Sequence, residues 1–174
     1  MNGNFKKIFI PALSLFLICL VSALLLALTN ELTADKIAES AKAEEVAQRA
    51  VVFPGASYAE EENFTRVLGE DGSTLGYIFV TEGKGYGGAI TVMTGIDVSG
   101  KITGVKVLSH SETSSYGGKA IKNEFEKEFI GKEAAQFAKG KNFDGWTGAT
   151  RTTNGVIQAV NAACEQFAQL KGGD

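Results

Sequence analysis

The run Asp144-Gly145-Trp146-Thr147-Gly148-Ala149-Thr150 sets two glycines and two hydroxyls just before an apolar-periodic stretch. Thr152 and Thr153 add two more hydroxyls, and Arg151 adds a positive charge. A helix start carries free backbone N–H groups and the positive end of the helix dipole, which together favour an anion such as phosphate. A helix cap is the plainer reading, since Thr is a good N-cap and glycine commonly precedes helices. Both stay open from the residues alone. Other candidates are Gly85-Tyr86-Gly87-Gly88 and His110-Ser111-Glu112-Thr113. Tyr86 and Trp146, taken alone, read as packing aromatics. His110 is the only histidine and reads as structural, and Glu112 suits either a helix cap or a cofactor contact. No Ser/His/Asp arrangement is evident, so hydrolysis is not expected and no residue is given a catalytic role.

Around these loops the elements follow from periodicity. Thr74–Thr81, Ala89–Val98 and Lys101–Ser109 are rich in β-branched and aromatic residues and read as strands. Ser99-Gly100 reads as a two-residue hairpin connection. Ile102, Val105 and Val107 are expected to pack while Lys101 and Lys106 meet solvent, giving an antiparallel sheet with one face buried. A helix is expected over Ala120–Ile130, with Ile121, Phe125 and Phe129 at fourfold spacing, and a short one over Glu133–Lys139. Residues 152–170 place Val156, Val160, Cys164 and Phe167 on one stripe. The Glu/Lys-rich face of 122–133 reads as solvated. Strands first and helices later predict an α+β domain, an antiparallel sheet packed by helices.

Ile8 to Leu28 carries no charge, and at about 1.5 Å per residue it reaches roughly 31 Å, enough to cross a membrane. Lys6 and Lys7 precede it, and Glu31 and Asp35 follow. The positive-inside bias puts the N-terminus in the cytoplasm and the remainder outside. The run is longer than a cleaved signal's apolar region, and Thr29-Asn30-Glu31-Leu32 makes a poor cleavage site. The expected organisation is residues 1–29 as tail and transmembrane anchor, 30–52 as an Ala/Glu/Lys-rich helical stalk, and 53–174 as the outer domain. Lys6 and Lys7 are the only charges before Glu31, so that remainder keeps 15 of the 17 basic residues and all 20 acidic ones. With no basic patch, nucleic-acid binding is not expected. Cys19 and Cys164 are far apart, no C-x-x-C exists, and neither a disulfide nor a metal site is expected.

Asp-Gly-x-Ser/Thr-Gly-Ala-Thr resembles the flavinylation motif of the FMN-binding domain shared by the RnfG component of the Rnf complex and the NqrC component of the sodium-translocating NADH:quinone reductase. Asp144, Gly145, Thr147, Gly148, Ala149 and Thr150 match it. Gly85-Tyr86-Gly87-Gly88, Gly95-Ile96-Asp97 and the His-x-Glu-Thr segment at His110–Thr113 are similar to the Rnf branch. After Thr113 the family continues Pro-Gly-Leu-Gly, whereas this chain has Ser114-Ser115-Tyr116-Gly117. The resemblance implies FMN joined through its phosphate to Thr150 by a flavin transferase, with Glu112, Thr113, Tyr86 and Gly87 near it. It further implies an electron relay in the cell membrane, in an ion-translocating ferredoxin:NAD oxidoreductase with other membrane subunits as partners. No turnover by the chain alone is expected. The alternative from another class is a membrane-anchored binding or assembly module without a redox role.

Overall fold

Leucine, isoleucine and phenylalanine crowd the N-terminal run, and the Ala/Glu/Lys composition after it favours the same backbone. One helix, α1, therefore spans Gly3–Val52. In this computed structural model residues 3–55 and 57–172 are described. Within α1, Phe9–Ile37 is long and apolar enough to cross a membrane, with a mean hydropathy of 2.7. Three of its hydroxyls bond back to the helix: Ser14 donates to the Ile10 carbonyl, Thr29 to Leu25 and Thr33 to Thr29. Such back-bonding keeps a polar side chain from needing water. The chain divides into two compact units, Met1–Glu44 and Glu45–Asp174.

The second unit is built on a five-stranded antiparallel meander in sequence order. Its strands are β1 (Ser57–Glu60), β2 (Thr65–Leu68), β3 (Thr74–Lys84), β4 (Ala89–Asp97) and β5 (Ile102–His110). The β4–β5 hairpin is closed by Asp97 N–H donating to the Lys101 carbonyl at 2.9 Å. Its connection is Val98-Ser99-Gly100, one residue longer than expected. The Asp97 carboxylate accepts from Ser99 Oγ and from Lys101 N. Gly100, at φ 91°, supplies the left-handed residue such a three-residue loop needs.

Both faces of the sheet are covered, which corrects the expectation of one buried face. Phe79, Ile90, Val92, Ile96 and Ile102 pack with α3 (Thr150–Gly172) through Val156, Val160, Cys164 and Phe167. Neighbouring strand residues alternate faces, and Ile78 and Met93 meet Val52, Phe53 and Val67 on the other side. The end of α1 supplies that second cover, because Thr103 Oγ1 donates to the Val52 carbonyl and Tyr58 Oη to that of Phe53.

The segment between β5 and α3 departs from the expected helices. Instead of one helix over Ala120–Ile130 there is α2 (Gly117–Lys122), then a 3-10 turn at Phe125–Phe129. Glu124 breaks the run with a left-handed φ of 54°, held by its ion pairs to Lys106 at 3.0 Å and Lys127 at 2.6 Å. Phe125 and Phe129 still turn inward; Phe129 stacks on Phe143 at 4.0 Å and meets Phe137 edge-on. Glu133–Lys139 is not a helix. Its backbone is claimed by tertiary partners: Ala134 N by the Gly100 carbonyl, Phe137 N by Asn161 and Ala138 N by Asn142. Nor is the whole 122–133 face solvated. Glu126 is 1% exposed, and neither carboxyl oxygen has a hydrogen-bond partner among the described residues.

What positions the first turn of α3 is a backbone-to-backbone approach. A Cβ on Gly83 of β3 would run into the Gly155 carbonyl of α3. Thr81 Oγ1 donates to the Ala159 carbonyl at 2.8 Å, and Lys84 N–H to Gln158 Oε1 at 3.0 Å. The start of α3 is thereby held beside the β3–β4 loop, Gly85–Gly88.

Candidate functional site

Among the described residues no side chain caps the start of helix α3. Ala149 stands at the N-cap, its carbonyl accepting the first helical bond from Thr153 N at 2.9 Å. Alanine has no oxygen to offer the following amides. Among the described residues nothing accepts from the N–H groups of Thr150, Arg151 and Thr152. The approach to this turn is shaped by Gly145 and Gly148, at φ 71° and 85°. Trp146 N–H donates to Thr153 Oγ1, which folds the loop back onto the helix. A Cβ on Gly145 would collide with the Thr153 methyl. Thr150 is exposed, and its Oγ1 accepts from Lys139 Nζ at 3.1 Å.

Glu112 ties three segments together. Oε1 accepts from the amides of Tyr86 at 2.7 Å and Gly87 at 2.9 Å, and Oε2 from Thr152 Oγ1 at 2.5 Å. Burial by itself raises the pKa of this carboxyl, but the Thr152 hydroxyl and the Gly87 and Tyr86 amides outweigh it. With His110 adding a smaller attraction, the group is held below the ordinary carboxylate value. Room for the carboxylate depends on Gly85 and Gly117, where a Cβ would overlap Glu112. His110 Nδ1 accepts from Glu112 N at 3.2 Å and pins the turn.

Between these segments lies a cavity of about 470 Å³, within the roughly 300–1,000 Å³ of small-molecule sites. Tyr86 and Tyr116 line it, each about two-thirds exposed, with Glu112, Thr113, Gly117 and the turn Gly148–Thr152. The Arg151 guanidinium lies 5.7 Å from the Tyr86 ring centre. A second, larger cleft of about 780 Å³ runs along the other side of α3, past Lys139, Asn154, Asn161 and Glu165. Thr150 stands on the rim of both. The smaller one has aromatic walls and hydrogen-bonded supports, so it suits a flat ring with a phosphate at the helix start.

Of the residues singled out in the sequence, Tyr86, Glu112, Thr113, Gly148, Ala149 and Thr150 line this one cavity. Gly87 reaches it through Glu112. Asp144, Gly145 and Thr147 do not line it; Asp144 and Thr147 are exposed, and Gly145 N–H donates to Glu128 Oε2 at 3.4 Å. Tyr116, Gly117 and Lys139 were not singled out. Tyr116 stands where the chain departs from the family pattern, Gly117 keeps the last glycine of that pattern, and Lys139 bears no local pattern at all.

Residues 85–165 match the family model described as FMN-binding domain, and residues 1–52 that of the RnfG N-terminal region. Relatives include the G component of the proton-translocating ferredoxin:NAD(+) oxidoreductase complex of Clostridium ljungdahlii, 35% identical over 58% of this chain and 57% of that one. Its counterpart in the Na(+)-translocating ferredoxin:NAD(+) oxidoreductase complex of Acetobacterium woodii is 29% identical over 96% and 95%. The G component of the ion-translocating oxidoreductase complex of Stutzerimonas stutzeri is 30% identical over 92% and 81%. In fold, the chain is similar to the crystal structure of Shewanella oneidensis NqrC, with a TM-score of 0.52 and 19% identity, over 72% of this chain and 74% of that one.

Proposed function

The chain belongs to the RnfG family of ion-translocating oxidoreductase complexes, and from this premise we propose that it is the FMN-carrying electron-transfer component of a membrane-bound ferredoxin:NAD oxidoreductase complex. FMN is joined through its phosphate to Thr150. One observation carries this reading above the others: an exposed threonine hydroxyl opens a 23-residue helix at the rim of a tyrosine-lined cavity.

The residues present fit such a group. The amides of Thr150, Arg151 and Thr152, unclaimed among the described residues, and the positive helix end would hold the phosphate. Tyr86 and Tyr116 would supply aromatic walls for the ring, and Glu112 holds the Tyr86 wall to the helix. Bound FMN supplies one- and two-electron transfer; the protein contributes position and electrostatics. In the attachment step the Thr150 oxygen would form the Oγ–P bond as the phosphoanhydride bond of flavin adenine dinucleotide breaks; the hydroxyl proton would pass to the departing adenylate, and the chain would gain FMN less water. A covalent tether keeps the cofactor outside the cell, where none is supplied. Residues 1–29 serve as tail and anchor in the lipid, 30–52 as stalk, and 53–174 carry the cofactor on the outer side, with the N-terminus cytoplasmic. The other membrane subunits hold the NAD and iron–sulfur sites, and a flavin transferase matures the chain.

Expression with a flavin transferase, followed by denaturation, is expected to yield a fluorescent band with the mass of FMN less water added. Thr150→Val keeps the shape without the hydroxyl and is expected to be unlabelled. A labelled valine variant would refute the attachment residue, and an unlabelled wild-type chain would favour an assembly module without a redox role.

A further inference from the structure

We propose that Lys139 is the positioning residue of the Thr150 hydroxyl and the counter-charge of the phosphodiester formed there, an inference that rests on attachment at Thr150. The two residues belong to different segments. Lys139 follows the irregular stretch from Glu133, whereas Thr150 opens α3. Their side chains meet at 3.1 Å, Nζ to Oγ1.

Direction matters in this pair. An ammonium has only donors, so lysine donates and the threonine oxygen accepts. The hydroxyl's own proton is then turned away from Lys139, while the oxygen is held facing a positive charge. Attack on phosphorus builds negative charge towards that oxygen's new neighbours. A charge 3.1 Å from Oγ1 stays within reach of the phosphate oxygens bonded to the same phosphorus, and a phosphodiester keeps one negative charge. An attraction to a fixed ammonium thus grows along the step, as transition-state stabilisation requires.

The backbone around Lys139 is held for this task. Asn161 of α3 bonds Phe137 at both its N–H and its carbonyl, at 2.8 and 3.0 Å. Asn142 accepts from Ala138 N–H through its side chain at 2.8 Å. The Gly140 N–H donates to the Phe143 carbonyl at 2.9 Å, closing the turn directly after Lys139. The buried ring of Phe137 fixes the same stretch from the core side. Lys139 is therefore anchored to the very helix whose first residue it contacts. Arg151, the other cation nearby, is turned to the Tyr86 ring and bonds no oxygen of Thr150 among the described residues.

The test follows covalent flavin incorporation into the full chain by a flavin transferase, with flavin adenine dinucleotide as donor, over a range of chain concentrations. Lys139→Gln is expected to lower the maximal rate about tenfold, the size of one lost hydrogen bond to a charged group. Lys139→Arg is expected to restore most of that rate. A Lys139→Gln chain with the wild-type maximal rate overturns the proposal, as does a slow chain that arginine fails to rescue or a change confined to the KM for the chain. Wild-type labelling with no lysine effect leaves the Thr150 attachment standing and removes only Lys139. An unlabelled wild-type chain removes both.

Discussion

The Glu112 carboxylate and the Thr152 hydroxyl, forty positions apart, meet at 2.5 Å and lock the end of the β5 segment to the first turn of α3. The other oxygen of the same carboxylate holds the Tyr86 and Gly87 amides. One ionised group thus sets the distance between the cavity wall and the helix start.

Glu112→Gln is expected to destabilise the outer domain by about 1–3 kcal/mol at neutral pH, since three donors lose a charged acceptor. The folded pKa of Glu112 lies below its unfolded value. Its contribution is therefore complete above the ordinary carboxylate range and is lost as pH falls through the folded pKa. Urea melts of both chains are expected to differ at pH 7 and to converge under acid. A constant gap across that range would overturn the assignment.

Ala149→Ser places a capping oxygen where the helix has none. The exchange is expected to raise thermal stability by about 0.5–1 kcal/mol while slowing flavin incorporation, because the new oxygen occupies an amide proposed for phosphate. Calorimetry and in-gel fluorescence on the same preparation check both halves. A variant that gains stability and labels normally would show that these amides are not the phosphate site.

Glu126 is buried with neither carboxyl oxygen in a well-formed hydrogen bond among the described residues, and burial outweighs the pull of Lys106 and the nearby backbone amides to push its pKa up. Its folded pKa exceeds the unfolded value, so the folded state holds a proton that the unfolded chain releases. Stability is full below the ordinary Glu range and falls as pH rises through the raised folded pKa. Glu126→Gln, neutral at every pH, is expected to flatten that decline and to be the more stable chain at pH 8. Denaturant midpoints at pH 5 and 8 measure it; an equal decline in both chains would contradict it.

Gly83→Ala drives a methyl into the Gly155 carbonyl. Overpacking of this kind costs about 1–3 kcal/mol, and here it pushes the start of α3 away from the Gly85–Gly88 loop. A lower melting temperature is expected together with reduced flavin incorporation. Val80→Ala, on an exposed position of the same strand, is expected to do neither.

What residue order alone determined were the features written in short-range periodicity. The charge-free run became the apolar part of α1, three of five strands stood near their expected limits, and Val156, Val160, Cys164 and Phe167 form the buried stripe of α3. Each rests on repeats of two or 3.6 residues, which a linear reading captures. Strands β1 and β2 have four residues each, too few to show alternation. Tertiary structure decided the rest. Asn161, Asn142 and Gly100 took the backbone of 133–139 out of a helix, and Glu124 traded helical φ for two lysines. The Glu112–Thr152 contact needs α3 to lie against β3, which Gly83 allows, and the Lys139–Thr150 contact needs Asn161 to hold the 137 stretch to α3. A hydrogen bond between distant segments depends on where folding delivers its two atoms, and no spacing along the chain encodes that distance.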